Sequence, residues 1–557
     1  MLTSIVGVII LLGGLIFFHE LGHYSVAKFF GVKVEVFSLG FGKKIFRKQV
    51  GETEYCLSLF PLGGYVKLMG DDPFKSVPAS EVDRAFYHQK LYKRFLIVAA
   101  GPLANVILAY FLFVFIFWAG KPVEANRIGT VNVGSPAWEA GIRPRDRILV
   151  INGKTITTWD DMEEELKLRE GERVQVIVDR NGKQVPVELS VGRVRARNDF
   201  GEEVEVGGIK GISAYPVASM VGVSDPNSLA FLSGLRTGDL ITQINGEAIT
   251  LFEEVGPAIA LAVTKGEALK LLVKRPGDIS GQTKTKDSEL TLSLAITKGL
   301  AISQSPFGPA ESLGVYPSEL FVKRVTAGSP AEKGGLQAGD RIVKVGDNPV
   351  FNFETIVDEV QARGNASQTI TLQLQRSGQT VSLTLQPVET TYEDPLTHAT
   401  KKKFMVGFEP MAAYRESELT QLKVKEPLAL LKRAWTETWD LSGKMLVSLG
   451  KLAMGQISMK NLGGPVLIAS VAGKSLDAGI IPFLQMMALI SINLFLLNLF
   501  PVPVLDGGHL LFFLVEGIKG KPVSVRTMEI ANQIGMVFIL MLVGLTLFND
   551  ISRIVLR

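Results

Sequence analysis

Residues 2–30 read LTSIVGVIILLGGLIFFHELGHYSVAKFF, an almost wholly apolar run that contains the motif His-Glu-x-x-His at residues 19–23. On a helix, His19 and His23 lie one turn apart on one face with Glu20 beside them, an arrangement that suits two zinc ligands and a general base. A charged group inside a membrane span costs about 2.5–3.5 kcal/mol, so these residues indicate a functional site. A water-soluble zinc protease would carry the motif outside such a run. The pattern therefore predicts a metallopeptidase that works within the bilayer.

The composition narrows the chemistry further. The chain has 557 residues, enough for several domains, and its net charge of +4 gives no indication of nucleic-acid binding. The single cysteine, Cys56, excludes internal disulfides and any cysteine-based zinc site, and it is predicted to be a buried filler in a strand. The first apolar run lacks a basic segment before it and a cleavage site after it, which favours a retained span over a signal peptide.

Four stretches are long enough to cross the hydrocarbon core, namely residues 2–30, 95–118, 482–500 and 530–548. The loop at residues 31–94 holds eleven Lys and Arg, which predicts that it is cytoplasmic and that both termini and residues 121–425 lie on the other side. His19 is about 25 Å along the first helix. Asp506 follows the third span, which runs in the same direction, so both residues are expected at one depth near the cytoplasmic surface.

The second polar constellation is NLFLLNLFPVPVLDGGH, residues 493–509. Irregular backbone at membrane depth is tolerated only where protein or a water-filled cavity satisfies it, so Pro501 and Pro503 indicate a lined site. Asp506 is the natural third zinc ligand, which would leave one coordination position open for water. Two alternatives stay open at this point: His509 as the ligand, and Asp506 as the N-cap of the following helix.

Two asparagines of this constellation, Asn493 and Asn498, are expensive amides in a lipid-facing span. We interpret them as groups that hydrogen-bond the substrate backbone or the broken helix. Hydrogen bonding between helices is the alternative.

Together these motifs resemble those of the site-2 proteases, the intramembrane zinc metalloproteases, over nearly the whole chain. Further matches are Gly40-Phe41-Gly42, Phe60 to Lys67 (FPLGGYVK), Ala100 to Asn105 (AGPLAN), Asn461 to Pro465 (NLGGP) and Phe548-Asn549-Asp550. The resemblance implies that His19, His23 and Asp506 hold Zn²⁺, that Glu20 is catalytic, and that His509 supports the site from outside the ligand set.

The resemblance also implies a partner class and a location. The expected substrates are single-span membrane proteins already trimmed on the outer side, such as an anti-sigma factor, together with remnant signal peptides. The expected location is the bacterial inner membrane, with the central block in the periplasm.

The central block contains a threefold repeat. Its copies run from Gly141 to Asp146 and Asn152, from Gly234 to Asp239 and Asn245, and from Gly335 to Asp340 and Gly346, with identical spacings. Each copy predicts a short helix, a glycine stop, a strand and a tight turn, followed by a second helix and further strands. The pattern resembles the PDZ fold, which binds extended peptides along a sheet edge. Close members of the family carry two such modules, and here there are three. Peptide capture and a steric gate both stay open as their role.

Three other segments carry weaker signals. Residues 54–69 alternate apolar side chains around Pro-Leu-Gly-Gly and predict a β-hairpin, with Gly63 and Gly64 as candidate substrate-binding positions. The resemblance implies that this hairpin enters the membrane beside the active site, and a plain surface hairpin is the alternative. Residues 427–454 are amphipathic with two tryptophans, which predicts a helix in the membrane interface. Residues 392–403 are polar and predict a loop.

The fold class that follows is a multi-pass α-helical membrane protein with four transmembrane helices, a membrane-associated β-hairpin and inserted α+β PDZ-like domains. The predicted segments are a first membrane half (1–120), three PDZ-like domains (121–214, 215–312 and 313–390), a linker with the interfacial helix (391–480) and a second membrane half (481–557). The predicted function is zinc-dependent hydrolysis of peptide bonds within transmembrane segments, with the PDZ-like modules gating access. A catalytically silent membrane scaffold and a metal transporter are the alternatives from other classes.

Overall fold

The computed structural model describes residues 2–71, 77–198, 203–277, 286–295, 303, 305–393 and 400–555. They form two units. The membrane unit comprises residues up to 121 and from 421 onwards, and the central unit comprises the residues between them up to 420.

The helices of the described residues are α1 (Leu2–Phe29), α2 (Leu91–Ala119), α3 (Pro136–Glu139), α4 (Trp159–Leu166), α5 (Leu229–Leu232), α6 (Phe252–Lys265), α7 (Gly308–Ser312), α8 (Pro330–Lys333), α9 (Phe353–Asn365), α10 (Pro427–Ala453), α11 (Pro465–Asp477), α12 (Ile480–Leu499), α13 (Asp506–Lys519) and α14 (Val525–Val555).

The strands are β1 (Val34–Val50), β2 (Thr53–Leu68), β3 (Lys121–Glu124), β4 (Thr130–Val131), β5 (Arg147–Ile151), β6 (Lys154–Thr155), β7 (Arg173–Arg180), β8 (Lys183–Ser190), β9 (Gly192–Arg197), β10 (Glu203–Gly208), β11 (Ile212–Ser213), β12 (Val221–Gly222), β13 (Leu240–Ile244), β14 (Glu247–Ala248), β15 (Leu269–Arg275), β16 (Ser288–Leu294), β17 (Tyr316–Pro317), β18 (Val322–Val325), β19 (Arg341–Val345), β20 (Asn348–Pro349), β21 (Ile370–Arg376), β22 (Gln379–Leu385), β23 (Val388–Glu393), β24 (Thr400–Met405), β25 (Phe408–Pro410) and β26 (Leu419–Leu422).

Within the described residues, four helices are long and apolar enough to span a membrane: α1, α2, α12 and α14. They coincide with the four spans predicted from the sequence. α2 is the central helix of this unit, since α1, α10, α12 and α13 all pack against it. The apolar core between α2, α10 and α12 includes Phe113, Phe117 and Ile492. Because the zinc motif lies on α1 and Asp506 begins α13, α2 supports both parts of the predicted site.

β1 and β2 correct the prediction of a hairpin at residues 54–69. Residues 34–39 of β1 pair with residues 54–57 on one side and with residues 64–68 on the other, while residues 44–50 pair with 53–58. The two halves of the predicted hairpin therefore lie on opposite sides of residues 34–39 and do not pair with each other. The reason is that the Pro-Leu-Gly-Gly bend carries the chain across that strand to its far edge. Residues 64–68 form an edge of the resulting sheet.

The end of α14 holds the start of α11, a helix that the sequence did not predict. The buried Asp550 carboxylate accepts hydrogen bonds from the backbone N–H groups of Gly464 (3.0 Å), Val466 (2.9 Å) and Leu467 (3.2 Å). A carboxylate at a helix N-terminus satisfies N–H groups that have no partner inside the helix. α11 in turn packs against α1, so the last span stabilises the helix that carries the zinc motif.

In the described part of the central unit, three four-stranded antiparallel sheets share one strand order, which is β6-β5-β7-β8, β14-β13-β15-β16 and β20-β19-β21-β22. Each sheet packs on its own apolar core. The Asn-Gly turns have positive φ at both residues, with 47° and 82° at Asn152 and Gly153 and 50° and 85° at Asn245 and Gly246. Two consecutive positive φ values are the type I′ geometry that the predicted tight turns require.

The repeated aspartate is the buried centre of each module, hereafter modules 1, 2 and 3. Asp146, Asp239 and Asp340 are each 1% exposed. Each binds an arginine from the third strand of its sheet and the backbone N–H three residues before it, and the same arginine donates to the carbonyl of the repeated glycine. The arginines are Arg180, Arg275 and Arg376, at 2.6–2.7 Å from the carboxylates. The sequence pattern identified the aspartates but missed the arginines that neutralise them.

Replacing Asp239 by Ala is expected to destabilise module 2 by about 1–3 kcal/mol, because Arg275 and the Arg236 N–H lose their buried acceptor. Amide hydrogen exchange of β15 in the full-length protein measures this as faster exchange. Glu247→Ala, an exposed change in β14 of the same module, is the control and is expected to leave exchange unchanged. Equal protection of β15 in both variants would contradict the assignment.

The third module extends beyond its predicted end at residue 390. β23 and β24 pair with each other, so residues 392–393 and 400–403 are strand and not the predicted loop; residues 394–399 lie outside the described residues. β25 pairs with β18, and Val406 and Met411 belong to the core of module 3. β23 and β24 consist mostly of polar and charged residues, including Lys401-Lys402-Lys403, so there is no apolar alternation in the sequence from which to predict them. The other domain boundaries given by the sequence remain predictions.

Candidate metal centre

α1 places the two histidines of the motif side by side. Their ring centroids are 4.9 Å apart and their Nε2 atoms are 3.3 Å apart. This follows from the spacing of four residues on a helix, where the rings lie over successive turns of one face. Both side chains are 14% exposed, so they are largely shielded from solvent but still accessible.

Asp506 joins the histidines from the far end of the chain. Its Oδ2 lies 3.1 Å from His19 Nε2 and 3.5 Å from His23 Nε2. Asp506 is the first residue of α13, and the N-cap position is Leu505, so the carboxylate does not serve as the N-cap that was the alternative. His509, the other alternative, is outside the cluster, and its ring contacts Phe512 at 6.3 Å.

The three ligand atoms fit a zinc ion. Two ligands bound at about 2.0–2.1 Å to a tetrahedral Zn²⁺ lie roughly 3.3–3.4 Å apart. The separations of 3.3, 3.1 and 3.5 Å among His19, His23 and Asp506 match that requirement. Two imidazole nitrogens and one carboxylate oxygen also form a common donor set of catalytic zinc sites, in which the fourth position stays open.

Glu20 lies between the ligand cluster and the β-sheet. Its carboxylate interacts electrostatically with His19, His23 and Asp506, and it faces the backbone N–H of Val66 in the edge segment 64–68. A Cβ added at Gly64 would lie 3.0 Å from the Glu20 Cγ and 2.8 Å from Ile16, so the absence of a side chain at Gly64 allows the sheet edge to approach α1. The catalytic candidate is thus next to an open strand edge.

Two hydrogen bonds from α2 orient the imidazoles, and the sequence prediction included neither of them. His23 Nδ1 lies 2.9 Å from the backbone oxygen of Ile97, and His19 Nδ1 lies 3.2 Å from Nδ2 of Asn105, which is fully buried. Such outer partners fix the ring of a metal-binding histidine. The signal that could have found Asn105 is the one used for Asn493, namely an amide inside an apolar span.

Two glycines allow α1 and α2 to approach closely at the site. A Cβ at Gly22 would overlap the carbonyl group of Ala100, and a Cβ at Gly101 would overlap the ring of His23. Within α1, by contrast, a Cβ at Gly13 would meet nothing within 4 Å. The space for the His23 imidazole therefore depends on the missing side chain of Gly101.

The segment between α12 and α13 carries backbone strain next to Asp506. α12 ends at Leu499, before Pro501 and Pro503, and Val504 has φ of 86°. A β-branched residue in that region is an outlier, at a cost of about 1–3 kcal/mol, and it persists only where the surroundings hold it. Close contacts hold it here, since side chains at Gly507 and Gly508 would collide with the backbone of residues 499–503, and one at Gly535 of α14 would collide with Pro503.

The predicted substrate-binding residues lie on three segments of the membrane unit, namely α12, the strained segment after it and β2. Asn493 and Asn498 are half-buried on the last two turns of α12, and neither side chain forms a hydrogen bond to any residue that the structure describes. Pro501 and Pro503 lie in the strained segment. Gly63 and Gly64 lie in β2, where Gly63 faces the ring of Phe41 and Gly64 faces α1. Binding of substrate at these positions stays a prediction.

A buried ion pair fixes α13 to α2. Arg94, 6% exposed, donates to both carboxylate oxygens of Glu516 at 2.5 and 3.2 Å, and its guanidinium lies 5.1 Å from the Phe513 ring. Bidentate geometry of this kind defines both distance and orientation. It therefore fixes the helix whose first residue is Asp506.

Replacing Arg94 by Met is expected to lower the free energy of unfolding by about 3–5 kcal/mol, because Glu516 is left buried without a partner. The double variant Arg94→Met/Glu516→Met is expected to recover most of that loss, since no charge stays buried. Thermal unfolding of the detergent-purified variants measures both changes. A double variant less stable than Arg94→Met alone would contradict the interpretation.

Comparison with known proteins places the chain in one family. The model of peptidase family M50 matches residues 7–542. The regulator of sigma-E protease RseP of Escherichia coli is 31% identical over 99% of both chains, and the protease RseP of Yersinia pestis is also 31% identical over 99% of both. A protein of Ralstonia nicotianae whose name describes a zinc metalloprotease is 31% identical over 97% of this chain and 96% of its own.

Among solved structures, a PDZ domain protein from Parabacteroides distasonis covers 51% of this chain and 97% of its own at 11% identity, but its TM-score of 0.12 is too low to support a shared fold. The family match and the full-length relatives are independent of that structure. The chain therefore belongs to peptidase family M50, as a zinc-dependent metalloprotease of the site-2 type in the bacterial inner membrane.

Proposed function

We propose that this protease hydrolyses peptide bonds within the transmembrane segments of single-span membrane proteins that have already been trimmed on the outer side. The main support is that His19, His23 and Asp506, on helices of the membrane unit, lie at distances suited to binding one zinc ion. The E. coli relative is named as a regulator of sigma-E, which supports an anti-sigma factor as the substrate class, with remnant signal peptides as a second class.

In the proposed mechanism His19, His23 and Asp506 hold the zinc ion. A zinc ion held by these residues would supply Lewis-acid polarisation of a water molecule and of the substrate carbonyl. Glu20 takes a proton from that water and later donates it to the leaving amine, a role that its position beside the three ligands allows. Asn498, whose amide is free of other described partners, holds the substrate backbone together with Asn493.

The edge segment 64–68 supports a way of presenting the substrate. A peptide bond inside a helix is shielded by the helix's own hydrogen bonds, so the segment to be cut must first become extended. Glu20 lies close to this segment, since its carboxylate interacts with the backbone of Val66 and a Cβ at Gly64 would lie 3.0 Å from its Cγ. A substrate added there as a further strand would lie alongside the catalytic carboxylate. Because Glu20 lies on the membrane-spanning helix α1, the closeness of the sheet edge to Glu20 also supports the proposal that the sheet enters the membrane.

We assign a gating role to the three central modules. The face of α9 in module 3 is already occupied by its own chain, because the side-chain amide of Gln361 binds both the N–H and the carbonyl oxygen of Phe404. This self-occupation favours a steric gate over peptide capture. The gate requires the central unit on the periplasmic side and residues 31–94 on the cytoplasmic side, as the distribution of Lys and Arg predicts. Neither alternative function, a catalytically silent scaffold or a metal transporter, requires a carboxylate such as that of Glu20 between the metal ligands and a strand edge.

The test uses purified full-length protein and two versions of one single-span substrate, one trimmed and one with a bulky folded outer domain. We expect cleavage of the trimmed version, loss of cleavage with a zinc chelator and recovery when zinc is returned. The bulky version is expected to be cleaved at least about tenfold more slowly, which corresponds to about 1.4 kcal/mol in the barrier. Equal rates for the two versions would overturn the gate, and chelator-resistant cleavage would overturn the zinc mechanism.

A further inference from the structure

Asn105 is an amide buried in the middle of the membrane unit with one half of its hydrogen-bonding capacity unused. It is 0% exposed on α2, and its Nδ2 lies 3.2 Å from His19 Nδ1. Its Oδ1 is buried and has no hydrogen-bond partner among the described residues. An unpaired buried polar atom costs about 1–3 kcal/mol, so the arrangement calls for a physical reason.

The neighbouring histidine shows what the site requires. His23 Nδ1 faces the backbone oxygen of Ile97, which only accepts hydrogen bonds, so His23 Nδ1 carries the proton and donates it. A neutral imidazole protonated at Nδ1 has its lone pair on Nε2. That atom is the one directed at Asp506 and His19. The backbone of α2 thus orients His23 for metal binding.

His19 needs the same arrangement, and among the described residues the acceptor available to its Nδ1 is the oxygen of Asn105. As a zinc ligand through Nε2, the atom that lies 3.1 Å from Asp506 Oδ2, His19 must have its lone pair on Nε2 and its proton on Nδ1. An NH₂ group cannot accept that proton. Rotating the Asn105 amide by 180° exchanges its oxygen and nitrogen without changing its volume, and it pairs the unpartnered Oδ1 with His19 Nδ1.

We propose that Asn105 is a positioning residue of the metal centre, whose Oδ1 accepts the Nδ1 proton of His19 and directs Nε2 of that ring towards zinc. The proposal rests on the assignment of His19 as a zinc ligand. It adds a dedicated side chain from α2 to a centre otherwise built from α1 and α13.

Ser491 fixes the position of Asn105. Its hydroxyl donates to the backbone oxygen of Asn105 at 2.7 Å, and both residues are 0% exposed. The bond links α12 to α2 at the level of His19. Because α12 also carries Asn493, two residues beyond Ser491, the same contact connects the orientation of a zinc ligand to a helix with a proposed substrate-binding role.

The test compares two substitutions of opposite character at Asn105. Asn105→Leu keeps the volume and removes the acceptor, whereas Asn105→Asp keeps an acceptor and introduces a charge. If Asn105 orients His19, Asn105→Leu is expected to weaken zinc binding about 10–100-fold, and Asn105→Asp is expected to bind zinc at least as tightly as the wild type. A role in helix packing alone predicts the reverse order, since a buried carboxylate disturbs packing more than leucine does.

Zinc affinity is measured by competition with a chelator in the purified full-length protein, and thermal unfolding of the zinc-free protein monitors the fold. Asn532→Leu is the matched control, because Asn532 on α14 also has a buried Oδ1 without a described partner. It is expected to leave zinc affinity unchanged. Wild-type affinity in Asn105→Leu would overturn the proposal while leaving the proposed function intact, whereas failure of the wild type itself to bind zinc would overturn the proposed function.

Discussion

Glu20→Gln is expected to lower the rate of peptide cleavage about 10²–10⁴-fold, the contribution typical of a positioned general base. The amide has nearly the same shape as the carboxylate but cannot take a proton from water at neutral pH. The three ligand atoms belong to His19, His23 and Asp506, and none of them changes. Zinc content is therefore expected to stay at one ion per chain. Cleavage of a trimmed single-span substrate and elemental analysis of the same preparation measure the two quantities.

Glu81→Gln is the control for this variant. Glu81 lies outside the site and pairs with Lys33, so its change is expected to leave both cleavage and zinc content unaltered. Loss of zinc from Glu20→Gln would show that Glu20 helps to hold the metal. Full activity in Glu20→Gln would remove its proposed role as the base.

Gly101→Ala is expected to abolish activity by a different route, through the metal. The added methyl group would occupy the position of the His23 ring, so the imidazole must leave its place beside His19 and Asp506. Loss of the Ile97 hydrogen bond alone would cost about 10–100-fold in zinc affinity, and displacement of the ligand is expected to cost at least that much. Chelator competition measures the affinity.

Gly13→Ala separates this effect from the general consequence of adding a methyl group to a membrane helix. A Cβ at Gly13 would meet nothing within 4 Å, so zinc affinity and cleavage are expected to match those of the wild type. A zinc affinity of Gly101→Ala equal to that of the wild type would contradict the geometry described above. It would mean that the His23 ring can bind zinc from another position.

The part of the zinc site that lies on one helix could be predicted from the sequence. The spacing of His19 and His23 places both rings on one face of α1 whatever the rest of the chain does, because 3.6 residues make one helical turn. Likewise, apolar runs of sufficient length predicted α1, α2, α12 and α14, and the spacing from Gly141, Gly234 and Gly335 predicted a threefold repeat. Each of these inferences depends on a continuous stretch of sequence or on a spacing that recurs along the chain.

Partners that come from distant parts of the chain were decided by the tertiary structure. The sequence marked Asp506 as a ligand candidate, but His509 stayed open until α13 placed one of them 3.1 Å from His19. The pairing of residues 34–39 with segments on both sides replaced the predicted hairpin at residues 54–69. The arginine partners of the repeated aspartates follow 34–36 residues later, beyond any local signal.

Asn105 and Gly101 show the limit most clearly. In the sequence, Asn105 is an amide and Gly101 is a small residue in an apolar span. Both are common features of packed membrane helices. Only the crossing of α1 and α2 makes one of them the space for His23 and the other the neighbour of His19. Hydrogen bonds and steric overlaps act over a few ångströms in space, whereas sequence patterns report neighbours along the chain, so contacts between helices are defined only in the folded structure.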